Sequence, residues 1–330
     1  MSVTLRSTGR RLGAALLALA AAGAVHAFDL QGHRGARGLA PENTLAAFRA
    51  AMAVGVDTLE LDVHLSADGI PMVTHDPALN RDITRTEQGE WLPAPGPLVK
   101  SLTAEQLRTR YRVDRARPDS NVAKNFPDQR PSEGERMPTL QQVLALLRTP
   151  GAEALRANIE IKMNPRNPDD TPPPEAVVRA VLDVVRAAEA ERRVSIQGFD
   201  WRVQQLVQKL APEIPTAYLS TQRPNSDNIS DGAWTAGFDL KTHGTLPKMV
   251  KAAGGAIWSP NHNDLTPMLV TEAHELGLQV IPWTVNNPAD MARLIDWGVD
   301  GLITDHPERA RQVMQAKNLK LPARVSQDSP

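Results

Sequence analysis

The amino-acid sequence predicts an α/β fold in which eight parallel strands close into a barrel with helices outside. Three observations carry this. Short apolar stretches at 28–33, 57–64, 157–162, 193–197, 215–219, 256–259, 279–285 and 301–305 have strand length, and nearly all are followed by a helical pattern. Nothing in the chain resembles the glycine-rich turn of an open dinucleotide-binding sheet, the alternative arrangement. Polar residues fall at the carboxyl ends of these stretches, where closed barrels carry their active sites: His33, Glu60, Asp62, Glu160, Lys162, Gln197, Trp283 and Asp305.

The first strand, 28–33, ends in His33, Arg34 and Gly35. Pro41-Glu42-Asn43-Thr44 opens a helix with Leu45, Phe48 and Met52 on one side, and Gly55 ends it. Alternate side chains of a strand share a face, so in 57–64 Glu60 and Asp62 project together while Leu59, Leu61 and Val63 face a greasy layer. Asp68-Gly69 signals a hairpin. With these two residues at its centre Ala67 pairs with Ile70 and Asp62 comes opposite His75; a bulged turn would slip this by one. His64 shares the parity of the two acids and reads as a supporting residue.

From Pro77 to about Pro138 prolines, charges and weak periodicity predict an insertion after the second strand, either a substrate-facing cap or a surface excursion. Alternation resumes with a helix over 139–148 and the strand 157–162. A helix over 175–191, the strand 193–197, the Asp200-capped helix 201–210 and the strand 215–219 follow. The segment 221–246 shows no assignable element. After it come a helix over 247–253, the strand 256–259, a helix over 267–276 and the strand 279–285, then a helix over 288–297, the strand 301–305 and a last helix from Pro307. The whole reads as a TIM (β/α)8 barrel domain over 28–321 with an insertion at about 77–138 and a disordered tail, 322–330. Trp201, Trp234, Trp258 and Trp297 read as packing residues, and His243, His262 and His306 as loop or cap residues.

The amino terminus reads as an export signal, residues 1–27: Arg6, Arg10 and Arg11 precede an apolar run from Leu12 to Val25, and Val25-His26-Ala27 offers a small-residue cleavage site. The run is too short to span a membrane, although an uncleaved anchor is the competing reading. Removing the three arginines would take the formal net charge from −1 to −4. That balance argues against a nucleic-acid partner, which needs clustered positive charge. No cysteine is present, so neither disulfides nor a lipidated cysteine enter. The expectation is an exported protein, periplasmic or secreted, with no stable membrane insertion. The sequence carries no signal of oligomeric state.

Three carboxylates without cysteine or a spaced histidine pair suit a hard divalent cation, Ca²⁺ or Mg²⁺; zinc prefers nitrogen or sulfur. Glu60 and Asp62 stand too close on one strand to be the separated acid and base of a glycosidase. His33 and His75 titrate near neutrality, so one can accept a proton while the other donates one. With Arg34 and Lys162 beside them, this is machinery for a phosphodiester.

His33-Arg34-Gly35, Pro41-Glu42-Asn43-Thr44, Glu60-Leu-Asp62, Asp68-Gly69, His75-Asp76, Glu160-Ile-Lys162, Trp283-Thr-Val-Asn286 and Ile303-Thr-Asp305 together resemble the glycerophosphodiester phosphodiesterase family. The resemblance spans nearly the whole mature chain and departs at Gln197-Gly198-Phe199, where the family often has a serine for the glycine. It implies a phosphodiesterase barrel hydrolysing small-molecule glycerophosphodiesters to glycerol 3-phosphate and an alcohol. Glu60, Asp62 and Glu160 would bind the metal, His33 and His75 would be acid and base, Arg34 and Lys162 would hold the phosphate, and Trp283 would line the glycerol side. The competing functions are a lysophospholipase D or sphingomyelinase-D-like activity on lipid headgroups, and an exported organophosphate-binding protein without catalysis.

Overall fold

Alternating apolar stretches do become strands, and their order in space follows their order in the chain. A computed structural model describes Met1, residues 27–93 and residues 96–325. Its barrel strands are β1 (Asp29–Gly32), β2 (Thr58–Leu65), β3 (Arg156–Ile161), β4 (Val194–Gly198), β5 (Thr216–Ser220), β6 (Ile257–Pro260), β7 (Gln279–Val280) and β8 (Gly301–Thr304). Neighbours pair in parallel from β1 to β7, and β8 pairs with β1. The seam between β7 and β8 is drawn shut by Asp300 N–H on Val280 O and Ile303 N–H on Pro282 O, both 2.9 Å. The strand expected over 279–285 is regular only for its first two residues. Pro282 has no N–H to give a ladder, yet Ile281 and Trp283 still donate to Trp258 O and Pro260 O at 3.0 and 3.1 Å.

A helix follows each strand: α1 (Leu45–Val54), α2 (Leu140–Ala145), α3 (Pro174–Ala187), α4 (Trp201–Leu210), α5 (Leu246–Ala252), α6 (Pro267–Glu275), α7 (Pro288–Asp296) and α8 (Pro307–Ala316). Their starts are set by local chemistry. Thr44, Thr139, Asp200, Thr245, Thr266 and Asn287 each accept a backbone N–H of the first turn, satisfying donors a helix cannot satisfy itself. The main apolar layer lies between strands and helices and holds Phe48, Trp201 and Trp258 fully buried. The Trp201 indole donates to Leu219 O and meets Tyr218 edge-on, and that of Trp258 donates to Ser220, so both are packing residues as expected.

Inside the barrel the two halves differ. Ala217, Ile257, Ile281 and Ile303, from β5 to β8, form a small apolar cluster with Trp283 against it. Across from it, Asn158 of β3 donates to Gln31 of β1 (2.9 Å) and Gln197 of β4 (2.8 Å), and Ser195 donates to Asn158 (2.9 Å). This buried amide chain satisfies its own polar groups and forms a floor for whatever lies at the strand ends.

The hairpin after β2 is bulged. Its return arm, Pro71–Val73, pairs Val63 with Val73 and Leu65 with Pro71, so Asp62 faces Thr74, one residue short of the simplest expectation. Gly69, at φ 78°, supplies the left-handed residue of a three-residue loop, and Ser66 closes that loop by accepting Ile70 N–H and donating to Ile70 O.

The insertion folds around its own small core of Leu79, Leu92, Val99, Leu107 and Met137 on Met72, tied by Arg85 to Asp114 at 2.7 Å. It docks on the β1–α1 loop, where Arg130 donates to Leu39 O and the Arg37 guanidinium lies 4.6 Å over Phe126. Of the tail expected over 322–330, residues 322–325 are described, and there Val325 is buried with its N–H donating to Met52 O at 2.9 Å; the rest lies outside the described residues. The expected export signal falls almost wholly in residues 2–26, outside the described residues. Among the described residues no helix is long and apolar enough to cross a membrane.

Candidate active site

Register brings the acids together. Asp62 of β2 lies beside Glu160 of β3, and Glu160 beside Gln197 of β4, so three inward side chains form a row across adjacent strands. With Glu60, two residues earlier on β2, Asp62 and Glu160 place one carboxylate oxygen each within 4.8 Å of the others, and all three are buried. The amide floor reaches up to them through Gln197, which donates to Glu60 Oε1 at 2.8 Å. A Cβ on Gly198 beside it would stand 2.9 Å from the Gln204 amide nitrogen, which donates to Gly198 O, so any larger residue here requires that side chain to shift.

The β1–α1 loop supplies the donors. Arg34 N–H reaches Glu60 Oε2 at 2.8 Å and Asn43 Nδ2 reaches Asp62 Oδ2 at 2.9 Å. The guanidinium of Arg34 lies 3.2 Å from Asp62 and 2.7 Å from Glu42, and Arg37 braces the other oxygen of Glu42. From β3, Lys162 Nζ donates to Glu160 Oε1 at 2.7 Å and stands 3.6 Å from Asp62 Oδ1.

These contacts split the acids electrostatically. Burial, then the charges of Asp62 and Glu160, push the Glu60 carboxyl well above its usual range. Burial also raises Glu160, opposed by the Lys162 ammonium and reinforced by Asp62. Burial alone would raise Asp62 too, but Arg34 and Lys162 outweigh it and hold that carboxyl well below normal. The donor set is all oxygen, burial and then its neighbours drive one carboxyl toward its neutral form, and among the described residues buried Asp62 Oδ1 has no hydrogen-bond donor. Such a cluster fits a hard divalent cation.

Each histidine is held from behind by its own carboxylate. His33 Nδ1 lies 2.5 Å from Asp305 Oδ1, whose second oxygen accepts the Asn286 amide at 2.6 Å. His75 Nδ1 lies 2.7 Å from Asp76 Oδ1, whose second oxygen accepts the Asn80 amide at 2.7 Å. A carboxylate accepts only, so in both rings Nδ1 carries the proton in the neutral form and Nε2 is left for chemistry. Burial would raise both acids, but the imidazole contacts prevail, taking Asp76 down to about 2 and Asp305 far below the carboxylate range. Burial, then Lys162 and Arg34, lower His75. His64 stands next to it and lines the outer face of the cavity, its Nε2 3.0 Å from His75 O, with burial bringing its own pKa to about 4.

Seven of the eight residues singled out in the sequence, His33, Arg34, Glu60, His75, Glu160, Lys162 and Trp283, line one cavity of about 300 Å³, and Asp62 joins them through Arg34 and Lys162. Trp283 is fixed by its indole N–H on Ser259 O at 2.8 Å and an edge-on contact with Phe199. A second lobe of about 570 Å³ shares His75, Glu160, Lys162, Phe199 and Ser226 with the first.

Asp76, Asn80, Asn286 and Asp305 received no role from the sequence, although three of them sit inside quoted motifs. The segment 221–246, unassigned there, walls the outer lobe with Thr221, Asp227 and Trp234, and Trp234 is thus a cavity residue rather than packing alone. The 77–138 insertion contributes Pro77 to this lining among the described residues. His243, His262 and His306 line neither lobe; His306 is buried beside Phe126.

Residues 33–309 match the model of the glycerophosphoryl diester phosphodiesterase family. A Caldanaerobacter subterraneus subsp. tengcongensis protein named glycerophosphodiester phosphodiesterase is 30% identical over 280 residues, 84% of this chain and 93% of that relative. A solved Silicibacter pomeroyi structure, described as a candidate glycerophosphoryl diester phosphodiesterase, is 36% identical with a TM-score of 0.79, covering 90% of this chain and 96% of its own. An Oleispira antarctica phosphodiesterase in complex with the product sn-glycerol-3-phosphate shares the fold, with a TM-score of 0.63 at 21% identity, covering 87% and 96% of the two chains.

Proposed function

Because the chain belongs to the glycerophosphoryl diester phosphodiesterase family and is thereby a phosphoric diester hydrolase, we propose that it cleaves glycerophosphodiesters to glycerol 3-phosphate and an alcohol, with Ca²⁺ or Mg²⁺ bound. The observation that supports this reading most is the pair of imidazoles, each tied at Nδ1 to its own carboxylate, facing one cavity with three buried acids and two cationic side chains.

Arg34 and Lys162 hold the non-bridging phosphoryl oxygens, and Trp283 lines the side that takes the glycerol. Glu60, Asp62 and Glu160 would hold the divalent cation, which supplies positive charge to a phosphoryl group when bound. His33, beside Trp283 in the inner lobe, takes the proton from the glycerol hydroxyl next to the ester, and that oxygen attacks phosphorus. His75, which lines both lobes, gives its proton to the departing alcohol oxygen as the old P–O bond breaks. Water then opens the cyclic phosphate with the two imidazoles in exchanged roles, as microscopic reversibility requires. Asp305 and Asp76 fix the tautomers that make this possible.

A lysolipid would need an apolar wall for its acyl chain, and among the described residues the insertion contributes Pro77 alone to the cavity. The smaller substrate is therefore preferred. The basic start and apolar run of residues 6–25 support an exported enzyme, checked by fractionating cells for the mature chain. The direct test is to incubate the purified protein and cation with glycerophosphocholine and assay glycerol 3-phosphate and choline. Release of both, with none of the choline of lysophosphatidylcholine set free, is expected; choline release from the lysolipid alone would replace this reading with the lipid one.

A further inference from the structure

A phosphodiester has two ester arms. With phosphorus between His33 and His75 and glycerol against Trp283, the second arm must enter the outer lobe, which shares His75 with the inner one. That lobe, at about 570 Å³, is far larger than a small alcohol, so shape cannot sort headgroups there. Charge and hydrogen bonding remain to do so.

The charges are unequal. Of the lobe's cations, Lys162 is taken by Glu160 at 2.7 Å, and Arg166 by Asp231, a pair that ties the loop after β3 to the loop after β5. Asp76 is matched by His75. Two carboxylates remain without a cation within ion-pair distance, Asp170 and Asp227. Asp227 is occupied by the N–H groups of Ile229 and Ser230 and the Ser230 hydroxyl, whereas the Asp170 side chain makes no hydrogen bond or ion pair among the described residues. Separately from the charges, polar atoms stand unused around the same lobe. The hydroxyls of Thr171 and Thr221, whose residues are 6% and 1% exposed, and the indole N–H of Trp234 have no hydrogen-bond partner among the described residues. Leaving such groups unpaired is costly, so they call for a polar ligand.

Resting on the phosphodiesterase reading, we infer that the outer lobe is the leaving-alcohol subsite and that Asp170, aided by Asp227, selects an alkylammonium alcohol over a neutral or carboxylate-bearing one. Among the groups lining that lobe, Asp170 and Asp227 supply the negative charge for the ammonium and the Trp234 ring a face for it.

The test compares kcat/KM for glycerophosphocholine, glycerophosphoethanolamine, glycerophosphoglycerol and glycerophosphoserine on the cation-loaded full chain. The wild type is expected to favour the first two over glycerophosphoglycerol by on the order of tenfold, with glycerophosphoserine lowest. Asp170→Asn is expected to shrink that ratio and Asp170→Lys to reverse it, and about 0.5 M NaCl to weaken it by screening. Asp170 ends the short 3₁₀ turn Pro168–Asp170, is only partly buried and makes no side-chain hydrogen bond or ion pair among the described residues that a variant would break, so these variants keep the fold. A ratio unchanged in Asp170→Lys, or a wild type that prefers the neutral diester, overturns the inference while leaving the phosphodiesterase reading intact. A folded, cation-loaded protein that cleaves none of the four overturns the reading itself.

Discussion

Asp305→Asn should cost far more than the loss of one charge. Asp305 offers Oδ1 to His33 and Oδ2 to the Asn286 amide. Asn286 cannot turn over, because its own Oδ1 accepts Asp305 N–H at 3.0 Å and the Thr304 hydroxyl at 3.2 Å. The new amide must therefore present its oxygen to Asn286 and its NH₂ to His33. His33 Nδ1 then has to accept, its proton moves to Nε2, and the lone pair that would receive the glycerol proton is gone. Loss of a general base costs about 10²–10⁴-fold in rate, about 2.7–5.5 kcal/mol of barrier; a wrong tautomer in the serine-protease triad costs about 10⁴-fold. The assay is kcat for glycerol 3-phosphate release with thermal melting as the fold control. Adding Asn286→Asp should restore at least about tenfold, since a carboxylate at 286 accepts the amide and turns its oxygen back to His33. A single variant within about threefold of wild type, or a double variant no better than the single, would refute the tautomer argument.

His75→Ala should abolish cleavage of glycerophosphocholine but largely spare a p-nitrophenyl glycerophosphodiester, whose leaving group needs no proton; equal losses on both would remove His75 from the acid role. Exhaustive chelation should abolish turnover and lower the melting temperature, with Mg²⁺ or Ca²⁺ restoring both. At a hundredfold excess over Kd a ligand of the native state adds about 2.7 kcal/mol, and full activity after chelation would reject cation dependence. At the base of the barrel, burial and then Asp29 raise Asp57 to about 6, against the opposing N–H of Leu30. Below the unfolded value, about 3.9, both states are protonated and nothing is lost. As pH rises from there through about 6 the unfolded chain ionises first, so stability falls. Asp57→Asn should therefore raise the melting temperature at pH 7.5 but not at pH 4; equal shifts at both would show that the charge is not the cause.

Much of this was legible because it is local. Caps such as Thr44, Asp200, Thr266 and Asn287 act within three residues of themselves, so short-range chemistry fixes those helix starts. The inward row of Asp62, Glu160 and Gln197 follows from strand parity once the strands are placed in order. What could not be read depends on choices with small local energy or on distance. Asp68-Gly69 closes a hairpin in either of two ways that differ by one residue, and the bulged one is closed by Ser66 on Ile70, a contact that the turn residues themselves do not announce. Pro282 interrupts a strand whose apolar pattern continues past it. Asp305 meets His33 across 272 residues, and a carboxylate at a strand end looks the same in sequence whether it orients an imidazole or caps a helix. Segment 221–246 shows no period because its ordered pieces, the paired two-residue strands Gln222–Arg223 and Ser226–Asp227 and the four-residue helix Leu240–His243, are too short to carry one, and it becomes a wall only through closure of the barrel beneath it.

The donors that hold the acids are themselves held in unfavourable conformations, and this constrains how the site can be built. Arg34 and Asn43 have φ of 51° and 55°, a region that costs a residue other than glycine roughly 1 kcal/mol or more. The two are joined by Asn43 N–H on Arg34 O at 3.0 Å, and each spends a donor on a different β2 carboxylate. The Asn43 bond goes to Asp62, which Arg34 and Lys162 hold ionised, and is charge-assisted; together with the Arg34 N–H on Glu60 it offsets part of that strain. The loop therefore takes this shape only when Glu60 and Asp62 are present to receive it, and the acids keep their spacing only while the loop engages one oxygen of each. Removing either acid should loosen Arg34 as well as the cation site, so Asp62→Asn should raise KM for the phosphodiester in addition to weakening cation binding measured by calorimetry. A variant with weakened cation affinity but an unchanged KM at saturating cation would separate the two and show that the strained loop stands without the carboxylates.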